Sequence, residues 1–239
     1  MCGIVGYVGP KAAAPILLEG LKRLEYRGYD SAGVALLDGD GLKVVKRAGK
    51  LGVLEAALGA SPLNCGCGIG HTRWATHGAP TQPNAHPHTS RAGDIAMVHN
   101  GIFENAESIR AQLLEEGFSF VSDTDTEVVV HLIDHLWVDG TPMEEAVAAA
   151  LRLVEGAYGI AVVSSRDPDK IVLARNGSPL LIGVGQNGEM LAGSDAAAVI
   201  AHTREVVYLD DGDYAVLTSD GYRTYRLEGS EVDRGVHQV

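Results

Sequence analysis

Met1-Cys2-Gly3-Ile4-Val5-Gly6-Tyr7 opens the chain, and the reading of this stretch decides the rest. Cysteine is small enough for the methionine ahead of it to be trimmed, which leaves a thiol and a free α-amine on one residue. That joins a nucleophile to its own general base. The amine titrates at roughly 7.7–8.0 and the thiol at about 8.5 in unperturbed peptides, so a modest nudge moves a proton between them. The competing reading is a small apolar residue opening a buried strand, because free cysteine packs as a hydrophobe. Residues 2–9 alternate glycine with Ile4, Val5 and Tyr7, so a strand with close backbone approach is expected on either reading.

Outward from that strand, Leu17, Leu21 and Leu24 predict a helix over 13–27 that stops at Gly28. Residues 32–37 and 42–47 flank Asp38-Gly39-Asp40-Gly41 as a hairpin. A short helix near 50–58 and a glycine-rich strand through Ile69 and His71 follow. The stretch 72–92 is polar and punctuated by proline; so long an irregular segment reads as a functional loop. A strand at 94–99 precedes helices at 105–116, 125–137 and 142–154. Thr124-x-x-Glu127, and Thr141 with Pro142 and Glu144, are capping-box patterns for the last two. From 157 onward short strands dominate, at 158–165, 171–175, 180–185, 189–192, 205–209, 214–218 and 222–227. A short helix near 194–201 interrupts them. Helices in blocks between antiparallel strands predict an α+β layered fold, read as one domain over 1–239.

Composition narrows the function. The 239 residues are 46% hydrophobic and 21% charged, an ordinary globular balance. A formal net charge of −12 without a basic block argues against nucleic acid, and no apolar run reaches the length of a membrane span. Three cysteines make no disulfide framework, so a reducing, cytoplasmic setting is expected. Cys65 and Cys67 offer half a metal site and read as small residues of a glycine-rich strand. The Gly-x-Gly pattern at 66–70 lacks the spacing and following helix of a nucleotide fingerprint.

Other residues suit the removal of an amide nitrogen, which needs a nucleophile, oxyanion donors and anchors for charged substrate ends. Arg73, in His71-Thr72-Arg73-Trp74-Ala75-Thr76-His77-Gly78, can fork onto a carboxylate, with Trp74 covering a small ligand. A surface ion pair is the plainer alternative. Asn100-Gly101 can form an oxyanion hole or simply a tight turn. Asp125 can receive an ammonium or merely favour a helix N-terminus. Histidines 71, 77, 86, 88 and 99 lack metal-ligand spacing, so loop-fixing hydrogen bonds are expected and neither metal nor cofactor.

Cys2–Gly6, Leu24-Glu25-Tyr26-Arg27-Gly28-Tyr29-Asp30-Ser31-Ala32-Gly33, 71–78, Asn84-Ala85-His86-Pro87-His88, His99-Asn100-Gly101 and 123–127 together resemble the glutaminase domains of the glucosamine-6-phosphate synthase family. These are class II, N-terminal-nucleophile glutamine amidotransferases, and the resemblance spans nearly the whole chain. It implies a four-layer αββα sandwich and attack by Cys2 on the side-chain amide of L-glutamine. Asn100 and Gly101 match the oxyanion hole. Arg73, Trp74, Thr76, His77 and Asp125 match substrate-binding positions, and Arg27, His86 and His99 supporting ones. Asp123 stands where the family usually has glutamate, a conservative departure. Family members continue into sugar-isomerase subdomains and are expected to be homo-oligomeric. This chain stops at Val239, so by itself it is expected to release glutamate and free ammonia.

Overall fold

The computed structural model describes residues 2–59, 65–74 and 79–239. One antiparallel sheet runs, edge to edge, through β14 (Val236–Gln238), β11 (Glu205–Tyr208), β9 (Leu181–Val184), β10 (Met190–Gly193), β1 (Gly3–Val8), β4 (Cys67–Arg73), β2 (Ser31–Asp38) and β3 (Gly41–Ala48). A second runs through β13 (Gly221–Arg226), β12 (Asp213–Thr218), β8 (Lys170–Asn176), β7 (Gly156–Ser164), β6 (Ile95–Phe103) and β5 (His88–Thr89). Helices α1 (Ala13–Arg23) and α2 (Leu51–Gly59) cover the outer face of the first sheet. Helices α3 (Ala106–Glu115), α4 (Asp125–Leu136) and α5 (Met143–Leu151) cover that of the second.

The layering follows from the two-residue period of the strands. In β1, Ile4 and Val8 join Cys67, Ile69, Ala96 and Val98 between the sheets, while Val5 and Tyr7 face Leu17 and Leu21 of α1. In β6, Ala96 and Val98 point to the same inter-sheet core, and Ile95 and Met97 pack under α4 and α5. A strand buried on both faces is apolar on both, as β1 is over Ile4–Val8 and β6 over Ile95–Val98. The expected αββα order is the observed one, and Cys65 and Cys67 are buried free thiols.

Several boundaries differ from expectation for local reasons. Helix α1 ends at Arg23, and a 3₁₀ turn over Glu25–Arg27 carries the chain to Gly28, whose φ of +73° closes it. Strand β6 continues through Asn100 and Gly101, paired with Gly159 and Tyr158, so this dipeptide is mid-strand and not a turn. The segment near 194–201 forms only a 3₁₀ turn, Ala196–Ala198, and β5 and β14 were too short to expect. The Asp38–Gly41 hairpin forms as expected.

The caps also depart from pattern. Pro142 is the N-cap of α5 and Asp167 accepts its first N–H, from Met143, at 2.9 Å; Thr141 turns back on Val138. At α4, Thr124 accepts the N–H of Glu127 at 3.3 Å, but Glu127 does not return the bond. Its carboxylate accepts instead from the N–H groups of Val121 (2.8 Å) and Ser122 (2.6 Å) and from the Ser122 hydroxyl, and His131 Nε2 lies 3.6 Å away. Glu127 therefore pins the 121–124 approach to α4 from inside the protein.

Burial resists the charged form of Glu127, but the facing His131 and the donors at Ser122 and Val121 outweigh it and hold the carboxyl down at about 2. With the folded value depressed, this stabilisation is complete above the unfolded value and is lost as pH falls toward 2. Urea unfolding between pH 7 and pH 2 should show that loss. Glu127→Gln should lower stability at pH 7 by about 2–3 kcal/mol and flatten the acid limb.

Candidate active site

Cys2 stands at the open end of β1, between β10 and β4. Backbone groups of Trp74 flank its sulfur: the Trp74 N–H donates to Sγ at 3.2 Å, and the thiol faces the Trp74 carbonyl at 3.7 Å. Burial pushes the thiol up, while that N–H and the Arg73 guanidinium pull it down. The next residues are held rigidly. A side chain on Gly3 would stand 2.7 Å from Leu24, and the N–H of Ile4 donates to Ser194 Oγ at 3.0 Å.

Asn100 reaches across from the other sheet and donates from Nδ2 to the Cys2 carbonyl at 3.1 Å. Its orientation follows from its neighbour. His71 Nε2 faces two acceptors, Asn100 Oδ1 at 3.0 Å and the His99 carbonyl at 3.1 Å, so that nitrogen carries the ring's proton. Burial, with the nearby Arg73 guanidinium, lowers His71 to about 3 and keeps it neutral. With Oδ1 held by His71, the Asn100 amide turns its N–H groups toward Cys2. One of them is donated to the Cys2 carbonyl. Gly101 follows with φ +129°, and a Cβ there would overlap the Ala157 carbonyl oxygen, so only glycine fits.

Cys2, Arg73, Trp74, His86, His99, Gly101, Thr124, Asp125 and Thr126 line one open cleft. Arg73 is buried at the end of β4, two residues beyond His71 on the same face, and Nη1 donates to the Ala79 carbonyl at 3.4 Å. Asp125, first residue of α4, accepts the Phe103 N–H at 2.8 Å through Oδ2. Its Oδ1 lies 3.9 Å from His99 Nδ1. A cation and an anion thus lie in one cleft with the thiol. Trp74 is half exposed and its indole lies against Gly28, where a Cβ would come within 2.6 Å of the ring. Thr76 and His77 lie outside the described residues.

The histidines form a buried lattice. Thr126 Oγ1 joins His86 Nε2 (2.9 Å) to His99 Nδ1 (3.1 Å), the His71 and His86 rings are 4.2 Å apart, and His99 stacks on Phe103. Burial lowers His86, His88 and His99, so they act as neutral hydrogen-bonding groups. Among the described residues no group of histidine, cysteine and carboxylate side chains is gathered to hold a metal. Arg27 pairs with Asp195, and its Nε donates to Tyr26 at 3.1 Å, so it braces the turn beside β1 through Asp195.

The structure brings Cys2, Asn100, Gly101, Arg73, Trp74, Asp125, His86 and His99 to one place. Sequence reasoning missed the orienting contact of His71, the Trp74 backbone at the sulfur, Thr126 between two imidazoles and Ser194 at the Ile4 amide. For His71 a signal was legible: it precedes Arg73 by one strand period and so must share its face.

A family model described as glutamine amidotransferase domain matches residues 71–201. Glutamine–fructose-6-phosphate aminotransferases from Chlorobaculum tepidum and Thermus thermophilus are 54% and 52% identical across all of this chain, which spans 39% of their length. That from Thermococcus kodakarensis is 47% identical over 40% of its length. Among solved structures, glutamine phosphoribosylpyrophosphate amidotransferase from B. subtilis superposes with a TM-score of 0.81 at 26% identity, covering 95% of this chain and 49% of that one. A glutamine aminotransferase class-II domain protein from Silicibacter pomeroyi, 17% identical, shares the fold with a TM-score of 0.62 over 94% of this chain and 99% of its own. With more than half of its residues matched by the family model, and an antiparallel αββα sandwich that carries a cysteine at the head of a central strand, this chain belongs to the glutamine amidotransferase domain family.

Proposed function

We propose that residues 1–239 form one glutaminase domain that releases ammonia from L-glutamine, as part of a glutamine–fructose-6-phosphate aminotransferase. The observation that supports it most directly is the Asn100 amide, held by His71 through Oδ1 with Nδ2 on the Cys2 side. An amide that collapses onto a thiolate puts its negative charge on oxygen, and a donor fixed in advance at that spot favours the transition state over the ground state.

Removal of Met1 frees the Cys2 amine. The amine takes the thiol proton, and the thiolate adds to the glutamine Cδ. The oxyanion is received by Asn100 Nδ2 and the Gly101 N–H. Collapse breaks the C–N bond as the ammonium returns its proton to the departing nitrogen, which leaves as ammonia. A γ-glutamyl thioester remains; water, deprotonated by the same amine, adds to it, and thiol and glutamate separate. Arg73 receives the substrate α-carboxylate and Asp125 the α-ammonium, with Trp74 over the cleft; Thr76 and His77 are assigned to substrate binding by the family resemblance alone. Arg27, His86 and His99 support the site, and no cofactor is needed.

In this reading the ammonia passes to a sugar-isomerase portion that converts fructose-6-phosphate to glucosamine-6-phosphate, in a cytoplasmic homo-oligomer. Full-length identity with the aminotransferases favours this acceptor over a phosphoribosyl one, although the latter type shares the fold at 26% identity. No helix among the described residues is long and apolar enough to cross a membrane.

Three substitutions test the roles. Cys2→Ala should abolish ammonia release and the mass shift that a glutamine-like electrophile leaves on residue 2; turnover near the parent rate would refute the nucleophile. In Asn100→Ala, kcat should drop by roughly 10²–10³ with little change in KM, read from glutamate production. For Arg73→Ala the change should fall on KM, since it anchors a group remote from the breaking bond; an unchanged KM removes it from that role.

A further inference from the structure

Lys46 lies on β3, opposite Gly33 of β2, and no step above uses it. Its ammonium donates to three main-chain carbonyls of one irregular segment: Pro83 at 3.1 Å, Ala85 at 2.7 Å and Pro87 at 3.1 Å. An ammonium has three N–H groups, and all three are accounted for. The segment can lie against the hairpin only because Gly33 has no side chain. A Cβ there would overlap the His86 carbonyl oxygen and stand 2.6 Å from Lys46 Cβ.

On the far side, the same segment binds the approach to α4. Asn84 Oδ1 accepts the Asp123 N–H at 3.0 Å, and Nδ2 faces Asp123 Oδ2 at 3.3 Å. His86 Nε2 meets Thr126 Oγ1 at 2.9 Å, and His88 Nε2 meets Thr124 Oγ1 at 3.1 Å. Residues 123, 124 and 126 surround Asp125. The segment thus bridges the β2–β3 hairpin of one sheet to the helix of the opposite layer, and Lys46 is its charged fastening.

We infer that Lys46 is a positioning residue for substrate binding: by tying the 83–87 segment to the β2–β3 hairpin, it sets where the Asp125 carboxylate stands in the cleft. A charged donor shared by three carbonyls holds a proline-broken segment that has no sheet ladder of its own over 83–87. Burial lowers the ammonium to about 8, with Glu127 opposing the fall, so Lys46 carries its charge at neutral pH. The inference rests on the glutaminase reading for its kinetic part only.

Lys46→Met keeps the stem and removes the donors. It should raise KM for glutamine about tenfold or more and leave kcat within a few-fold, because Cys2 and Asn100 are held by β1 and β6. Lys46→Arg, which restores charged donors to carbonyls, should recover most of the loss. Hydrogen exchange gives a reading independent of activity: the Asp123 amide, bound to Asn84, should exchange faster in Lys46→Met and near the parent rate in Lys46→Arg. An unchanged KM together with unchanged Asp123 exchange would overturn the inference, as would a loss confined to kcat. If the parent protein releases no ammonia from glutamine, the glutaminase reading fails and the exchange result alone decides on Lys46. Should Lys46→Met not fold, Lys46→Gln serves in its place, with the same outcomes deciding.

Discussion

Hydrogen bonds cross between the sheets at the head of β1, from Asn100 to the Cys2 carbonyl and from His71 to Asn100 and to the His99 carbonyl. They depend on register. Cys2 and Ile4 on β1, Ile69 and His71 on β4, and Val98 and Asn100 on β6 are pairs two residues apart, so each polar member continues an apolar stripe of the sandwich core. The site is where the inter-sheet core stops being apolar. A slip of one residue in any of the three strands would send its polar member to the helix side.

This arrangement explains why the site is rigid on one side and assembled from irregular chain on the other. His71 is paired on both sides, with Ile4 of β1 and Gly33 of β2, Asn100 is paired with Gly159 of β7, and Cys2 directly precedes β1. Asp125 depends instead on a helix start fastened by side chains. Glu127 holds 121–122 from within, Thr124 closes the first turn, and Asn84, His86 and His88 bind from the opposite side. Groups held by ladders suit the stabilisation of charge in a transition state, which requires donors already in place. Groups held by side-chain contacts suit the capture of substrate ends.

Neutral histidines are used throughout as shaped hydrogen-bonding groups. Buried imidazolium ions packed this closely would repel one another, and burial keeps His71, His86 and His88 uncharged. A neutral ring has one donor and one acceptor, so each fixes the polarity of its partner: His71 fixes which end of the Asn100 amide faces the sulfur. This is the loop-fixing role expected of them, extended to the orientation of a site amide.

By itself the sequence determined an α+β layering and nearly every strand and helix, because two-residue and 3.6-residue periods are local; the αββα order and the residue types in the cleft came with the resemblance that the contiguous motif runs carry. It left Asn100-Gly101 open between an oxyanion hole and a tight turn, and the turn is excluded only when β7 is seen to pair across it. The capping patterns at Thr124 and Thr141 were half right and wrong, because Glu127 and Asp167 found partners that no local spacing reveals. Only the tertiary structure decided which face of Asn100 meets Cys2, where the Trp74 backbone stands, and that Lys46 binds a segment some forty residues away. Those are contacts between layers, set by sheet register and by the room that glycines 33 and 101 leave for neighbouring carbonyls.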